Sequence, residues 1–409
     1  MKCGLLGRKL SHSYSPQIHS CFADYAYCLF ETEPEQLEDF LKHGDFDGIN
    51  VTIPYKKAVI PYCDELSDTA KKIGAVNTIV RRNGRLIGHN TDYFGFQFML
   101  DHSGLDVAGK KVLVLGSGGA SLTVQSVLAE KKARFFVVSR TGEHNYHNLH
   151  LHADASVIVN CTPVGMYPNN GLSPVELSQF PQLEGVLDLI YNPARTKLLL
   201  DAQARGLVTE NGLWMLVAQA KESAQWFLGH PLPNSVIETT HLKLLHQMQN
   251  LVLICKPGCG KSTVAKLLGQ RLGREVVDAD AYIEEMAGRT IPEIFRTEGE
   301  AGFRAMETAA LQTLGRQSSL IIATGGGCVT RSENYGPLLQ NGMIIWLKRR
   351  LSDLAVDGRP LSQNASLEEM YRVREPLYAR FAQLTVENDQ TVEQTVQSIV
   401  KLLNKERIL

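Results

Sequence analysis

The amino-acid sequence predicts an α/β fold with two doubly wound parallel sheets. Two strand–turn–helix units carry the prediction, KKVLVLGSGGASLTVQSVLAE (110–130) and NLVLICKPGCGKSTVAKLLGQRLG (250–273). In each, an apolar run breaks at glycines and a helical pattern follows. That is where a phosphate sits on exposed backbone N–H groups at a positive helix end. The second observation is the short apolar runs that follow each unit. RFFVV (134–138), SVIVN (156–160) and GVLDLI (185–190) follow the first; EVVDAD (275–280), SLIIATGGG (319–327) and GMIIWL (342–347) follow the second. Such runs between helical stretches pack as parallel strands covered on both faces. The third is length: 409 residues suit two or three domains rather than one core.

Composition removes several function classes. Hydrophobic residues are 44% and charged residues 21%, a globular balance that excludes disordered and fibrous chains. Lys+Arg (42) and Asp+Glu (43) nearly cancel, and neither side of Met248 carries the basic excess of a nucleic-acid binder. No stretch reaches the roughly 18 consecutive apolar residues of a membrane span. The opening MKCGLLGRKLSHS has too short an apolar run for a signal peptide, so the expected location is cytoplasmic. Cys3, Cys21, Cys28, Cys63, Cys161, Cys255, Cys259 and Cys328 show no framework and read as reduced thiols. The boundary between halves falls within HLKLLHQMQN (241–250), which has no Pro or Gly and reads as helix.

The first unit is read from its loop and the end of the next strand. GSGGA, comprising Gly116, Ser117, Gly118, Gly119 and Ala120, follows KVLVL as a dinucleotide loop would. An NAD site places an acid at the end of the following strand; here stand Ser139, Arg140 and Thr141. Arginine pairs with a 2′-phosphate, so NADP is favoured. Upstream lie SHSYSP (11–16), NVTIPYK (50–56), AVNT (75–78) and HNTD (89–92). They supply hydroxyls, amides, one ammonium and one carboxylate, an inventory that suits a small polyhydroxylated acid. Reducing a ketone needs hydride at carbon and a proton at oxygen. Lys56 can supply the proton or stabilise the alkoxide, and Asp92 can hold the ammonium and tune its pKa.

SHSYSP, NVTIPYK, AVNT, NTD, GSGGA, SRT, NCTPVGM, DLIYNP and NGLWMLVAQA run in the order seen in shikimate dehydrogenases, which residues 1–247 resemble. The resemblance implies a substrate-binding α/β domain of residues 1–95 and 212–247 around a Rossmann-like NADP domain of residues 96–211. It implies that Ser13 and Ser15 bind the substrate carboxylate. Thr52, Asn77, Tyr191 and Gln219 would bind its hydroxyls or brace the site, Asp92 lying beside them. Lys56 and Asp92 would be the catalytic pair. Gly116 to Ala120 would hold the pyrophosphate, Ser139, Arg140 and Thr141 the 2′-phosphate end, and Gly212 would also border the cofactor. Three departures stand out. Lys9 replaces a usual Pro, Gly142-Glu143-His144 replaces a basic residue after Arg140-Thr141, and only 18 residues separate Thr141 from Asn160. The last predicts a cofactor domain short of a helix. His144, His147, His150 and His152 crowd that stretch, but no neighbouring Cys, Asp or Glu completes a familiar metal set.

The second unit, CKPGCGKST (255–263), reads as a P-loop. Lys261 reaches the β/γ-phosphates, Ser262 reaches Mg²⁺, and Gly258, Cys259, Gly260, Lys261, Ser262 and Thr263 form the backbone cradle. Cys255 stands at the first glycine of the pattern. Thiols beside a helix N-terminus gain reactivity, so either alkylation of Cys255 or Cys259 blocks nucleotide use and Mg-ATP protects against it, or the two are small space-filling residues. DAD (278–280), FRTEGEAGFR (295–304), TGGG (324–327), GRPL (358–361) and VREPLY (373–378) resemble shikimate kinases, over residues 248–409. This implies a P-loop, NMP-kinase-like parallel α/β domain. Asp280 would face the substrate hydroxyls and Asp278 the Mg²⁺ shell. Arg304 and Arg374 would clamp the carboxylate beside Gly325, Gly326 and Gly327, and Arg359 would close from a lid onto the phosphates. The lid LAVDGRPLSQN (354–364) is short, and an arginine that in the family often stacks on adenine is replaced by Val356 or lost, which predicts weaker ATP affinity than is usual for the family, with the chemistry retained.

Together the resemblances imply a bifunctional enzyme using NADP(H), ATP and Mg²⁺. It would act on small molecules, 3-dehydroshikimate and shikimate, with no nucleic acid or membrane partner and with oligomeric state open. The alternatives are a quinate-type dehydrogenase with a small-metabolite kinase, or one half reduced to a regulatory module.

Overall fold

The computed structural model describes residues 1–10, 13–350 and 367–405. They form two compact units. One comprises Met1–Met166, Leu172–Tyr191 and Leu198–His241; the other comprises Tyr167–Gly171, Asn192–Lys197 and Leu242–Leu409. The helix Ser235–Met248 occupies most of the expected boundary segment.

The first unit holds two sheets. Six strands run in the order Ala26–Glu31, Lys2–Gly7, Gly48–Val51, Thr78–Arg82, Arg85–His89, Glu65–Leu66. The pairs among Gly48–Val51, Thr78–Arg82 and Arg85–His89 are antiparallel. A two-residue turn joins the last two. Asn83 and Gly84 both take positive φ there, 51° and 79°, the backbone an Asn-Gly hairpin turn requires. Register then does the positioning. Asn50 lies opposite Thr78, and Thr78 opposite His89. Three separate motifs therefore meet side by side at one end of three adjacent inner strands.

The other sheet is fully parallel, in the order Val208–Asn211, Gly185–Asp188, Val157–Asn160, Lys111–Leu115, Arg134–Val138. Its central strands are buried along almost their whole length, as continuous apolar runs covered on both faces must be. The chain leaves Lys111–Leu115 between neighbours reached in opposite directions, the crevice where parallel sheets bind ligands. Between Arg134–Val138 and Val157–Asn160 the described residues contain a single 3₁₀ turn, Leu149–His152, and no α-helix. The short connection carries no α-helix, as its length predicts, and Leu149 and His152 are buried from the turn.

The second unit has one parallel sheet, Val276–Asp278, Ile321–Ala323, Asn250–Ile254, Gly342–Lys348, Leu384–Glu387. The phosphate-loop strand Asn250–Ile254 is central and buried. The long helix Ile291–Arg316 breaks at Gly299, whose φ of 69° favours glycine. Within this unit Arg195 donates to the carbonyls of Leu339 at 2.9 Å and Gly342 at 3.2 Å. No helix among the described residues is long and apolar enough to cross a membrane.

Candidate active sites

In the first unit a pinned turn carries Lys56. Thr52 N–H donates to Leu6 O at 2.9 Å, Tyr55 N–H to Thr52 O at 2.9 Å, and Val76 N–H to Lys56 O at 2.7 Å. The Tyr55 ring is buried, and its hydroxyl donates to Thr32 O. Lys56 Nζ thereby meets Asp92 Oδ2 at 2.6 Å, with the two side chains 30% and 13% exposed. The pair is held, yet open to a substrate. Asp92 opens the helix Asp92–Ser103, where the helix dipole favours its charge.

A buried neutral network backs this pair. Asn77 Oδ1 accepts from Thr91 N–H at 2.7 Å, and Asn77 Nδ2 donates to Thr91 Oγ1 at 3.0 Å. The Thr91 hydroxyl donates to Gln219 Oε1 at 3.5 Å. Asn50 Nδ2 donates to Ser223 Oγ at 2.7 Å and Thr78 Oγ1 at 3.1 Å. Buried amides and hydroxyls persist only when paired in this way. The Asn77 amide thus braces the site through Thr91. Sequence reasoning missed Asn50, Thr78, Ser223 and Tyr27. Asn50 opened a quoted motif, and Ser223 stands one helical turn after Gln219, so spacing could have found both.

The structure also gathers the serines and Tyr191. Ser13 Oγ accepts from Ser15 N–H at 3.2 Å. Tyr27 hydroxyl donates to Asn50 Oδ1 at 2.8 Å and also bonds to Ser15. Tyr191 packs edge-on against Tyr14, ring centroids 6.1 Å apart, and burial raises both phenols above their usual range. Ser11 and His12 lie outside the described residues.

The dinucleotide loop is an open cradle. Gly116 has φ of 104°. Ser117 to Ala120 are exposed at the start of the helix Gly119–Glu130, which has no side-chain cap. A Cβ on Gly118 or Gly119 would meet no protein atom within 4 Å, so these glycines leave room for something other than protein. Arg140 and Thr141 are exposed and Ser139 half-buried at the end of the next strand. Unpaired helix N–H groups and a guanidinium are the donor set an anionic dinucleotide with a 2′-phosphate needs. Gly212 differs. A Cβ there would collide with the Leu189 carbonyl, so its missing side chain serves backbone packing. His144 and His152 sit 3.2 Å apart, ring nitrogen to ring nitrogen, beside Phe136. Among the described residues no group of three or more His, Cys, Asp or Glu is placed to hold a metal ion.

In the second unit a cleft of about 490 Å³ is lined by the phosphate loop, Asp278, Asp280, Arg304, Glu307, Gly325 to Gly327 and Arg374. Gly258 and Gly260 take φ of 86° and 84°, which turns the loop into the helix Lys261–Leu272. Thr263 follows Lys261 and Ser262 in its first turn. Ser262 Oγ donates to Asp278 Oδ2 at 2.8 Å, a hydroxyl and a carboxylate of the hard-oxygen kind Mg²⁺ takes beside phosphates. Asp278 also caps the next helix by accepting from Asp280 N–H at 3.1 Å.

Arg304 is 6% exposed. Its Nη1 donates to Glu307 Oε2 at 2.8 Å and its Nη2 to Glu300 Oε1 at 3.3 Å. Burial raises the Glu307 carboxyl above the ordinary range, against the pull of Arg304. Glu307 was missed in sequence, although its i+3 spacing from Arg304 was readable. The three glycines admit protein groups. A Cβ on Gly325 would strike Glu307 and Asp280, on Gly326 Pro257, and on Gly327 the Arg304 guanidinium. Arg374 Nη1 and the Tyr378 hydroxyl both donate to Gly326 O. Arg359 and Val356, with the ATP-affinity expectation built on Val356, lie outside the described residues.

The reactive-thiol expectation for Cys255 and Cys259 is corrected. The two are joined in a disulfide, Cα atoms 6.5 Å apart. The loop turns back between them, Cys259 N–H donating to Lys256 O at 3.4 Å, so neighbours at i and i+4 meet. The other six cysteines are free.

Comparison with known proteins places a family in each half of the chain. Residues 5–79 match the shikimate dehydrogenase substrate binding domain, and residues 257–404 match shikimate kinase. The chain is 36% identical over 275 residues to an NADP(+) shikimate dehydrogenase of Symbiobacterium thermophilum, covering 59% of this chain and 94% of that protein. A chorismate mutase/shikimate 5-dehydrogenase fusion protein from Clostridium acetobutylicum superposes with a TM-score of 0.57 at 36% identity, over 59% of this chain and 96% of that one. Shikimate 5-dehydrogenase from Thermus thermophilus, in complex with NADP(H) and shikimate, gives a TM-score of 0.55 at 32% identity, over 59% and 99%. The chain therefore belongs to the shikimate dehydrogenase family in its N-terminal part and carries a shikimate kinase domain at residues 257–404.

Proposed function

We propose that the chain is a bifunctional enzyme. It reduces 3-dehydroshikimate reversibly to shikimate with NADPH, then phosphorylates shikimate to shikimate 3-phosphate with Mg-ATP. The observation that carries the reading is the Lys56–Asp92 pair at 2.6 Å, in a chain whose second unit sets Asp280, Arg304 and Arg374 around a phosphate loop. Residues 1–95 with 212–247 form the substrate domain, 96–211 the NADP domain and 248–409 the kinase domain. We read the chain as a cytoplasmic enzyme of small metabolites, and its even charge balance supports the absence of a nucleic-acid partner.

In the first site NADPH, when bound, supplies the hydride. Lys56 gives its proton to the ketone oxygen, or in reverse takes it from the hydroxyl, while Asp92 keeps the ammonium aimed. Ser13 and Ser15 receive the carboxylate. Thr52, Tyr191 and Gln219 meet the hydroxyls, and Asn77 holds Thr91 and Gln219 in place. In the second site Mg²⁺, when bound, neutralises phosphate charge, with Ser262 and Asp278 as its protein oxygens. Arg304 and Arg374 clamp the carboxylate bidentately. Asp280 orients the attacking hydroxyl and accepts its proton. Lys261 and the backbone from Gly258 to Thr263 hold the phosphates.

A coupled assay tests the reading. With 3-dehydroshikimate, NADPH and Mg-ATP, NADPH should be consumed and shikimate 3-phosphate should accumulate. Reduction that stops at shikimate removes the kinase half of the proposal; no reduction removes the other.

A further inference from the structure

We propose that Cys255 and Cys259 form a reversible dithiol–disulfide site that presets the nucleotide loop, so that the kinase half responds to thiol redox state and the dehydrogenase half does not. The proposal rests on the kinase reading of this cleft and adds a regulation of that site.

Both ends of the bond are fixed independently of it. Cys255 follows directly on Asn250–Ile254, a strand paired on both sides. The Cys259 carbonyl accepts from Asn388 Nδ2 at 2.6 Å and from Arg349 Nη1 at 3.2 Å. Asn388 is itself held, its Oδ1 accepting from Thr395 Oγ1 at 2.8 Å. The bond thus spans two anchored points, and Lys256, Pro257 and Gly258 are the only residues bridged between them.

The two cysteines belong to the apolar cluster of Leu253, Val264 and Leu347, 2% and 1% exposed. The same loop, Cys255 to Thr263, also lines the cleft, so the cysteines join the apolar cluster to the nucleotide loop. Two thiols need more room than one disulfide. A close-packed interior supplies little of it, so reduction displaces the turn Lys256–Cys259 relative to Lys261 and Ser262. That turn is part of the phosphate cradle. Pro257 also touches the space beside Gly326. A preset cradle binds its ligand with less ordering to do, so the oxidised form takes ATP more tightly.

The exchange is balanced by a small-molecule disulfide, RSSR. One cysteine thiolate attacks a sulfur of RSSR, its S–S bond breaks, and one RS⁻ leaves. The second cysteine attacks the mixed disulfide at the first cysteine's sulfur, closing the Cys255–Cys259 bond and releasing the second RS⁻. Two electrons pass to RSSR, and the two thiol protons end on two RSH. A dithiol reverses every step. Cys255 and Cys259 are among the cleft's lining residues but only 2% and 1% exposed, so the reagent reaches their sulfurs when the loop opens locally.

The test uses the full-length chain treated with oxidised glutathione or with dithiothreitol. Intact mass after alkylation counts thiols, and the kinetics of both halves are followed in the same sample. The expected result is six modifiable thiols after oxidation and all eight after reduction under denaturing alkylation. The KM for ATP should rise roughly threefold or more on reduction, the scale of losing one preorganised contact. The KM for shikimate and the rate of NADPH oxidation should not change. Cys255→Ser and Cys259→Ser should each abolish the response. Eight modifiable thiols after oxidation overturn the proposal. So does an unchanged KM for ATP with the disulfide formed, or a response that survives in Cys255→Ser. If phosphorylation is absent in both states, the kinase reading fails, and ATP titration by calorimetry of the two forms still decides the redox site.

Discussion

The two sites are scaffolded by different physics. Behind Lys56 and Asp92 the support is neutral: Asn50, Asn77, Thr78, Thr91 and Ser223 exchange hydrogen bonds in the interior. Behind the kinase cleft it is ionic: a 6% exposed Arg304 rests on a fully buried Glu307. A neutral network loses one or two bonds when a member is removed, and the rest re-pair. A buried ion pair leaves an uncompensated charge. The dehydrogenase site should therefore tolerate changes in its supports, and fail mainly when the reacting pair is touched. The kinase site should fail from behind.

The largest expected effect sharpens this contrast. Lys56→Ala should lower kcat for shikimate oxidation by about 10²–10⁴-fold, the usual contribution of a general acid–base group. The shikimate KM should change little, and phosphorylation by the same protein should be intact. Steady-state rates of both halves check it, and a variant retaining most of its turnover would take Lys56 out of the chemistry.

Next come the two supports. Glu307→Ala should destabilise the kinase unit by about 3–5 kcal/mol, as when a buried pair loses one partner, and raise the shikimate KM for phosphorylation. Ser223→Ala should destabilise the first unit by only about 1–2 kcal/mol, within the range for one unsatisfied buried group. Denaturant midpoints of each unit measure both; equal losses would break the comparison.

A smaller effect separates two glycines. Gly119→Ala should fold normally and raise the KM for NADPH, because its Cβ would point into the open cradle. Gly212→Ala should lower the melting temperature, because its Cβ meets the Leu189 carbonyl. The smallest effect concerns pH. Burial lowers the Lys256 ammonium to about 8, so its charge is present below that pH and lost above it. ATP affinity should weaken between pH 7 and 9, and Lys256→Met should flatten that step. An identical profile in the variant would assign the step to another group.

The readable part of the molecule was local. Apolar runs ending in glycine turns placed the parallel strands, and the motif residues Lys56 and Asp92 do meet. The unreadable part was what closes over distance. Asn50 and Ser223 are 173 residues apart; each lay next to a readable motif, but no periodicity shows that a strand end and the third turn of a remote helix bond to each other. The Asn83-Gly84 turn was a usable hairpin signal, and with it the side-by-side placement of AVNT and HNTD could have been argued. The cysteine error was of another kind. Position beside a helix end suggests reactive thiols, while the turn folds the two sulfurs onto each other.

Gly325, Gly326 and Gly327 each border a different group: the carboxylates, the proline of the loop and the clamping guanidinium. Three adjacent codons are thus three independent probes. An alanine walked along them would nudge the proton acceptor, the nucleotide loop and the anion clamp in turn, and the kinetic parameter that moved at each step would report which one had been displaced.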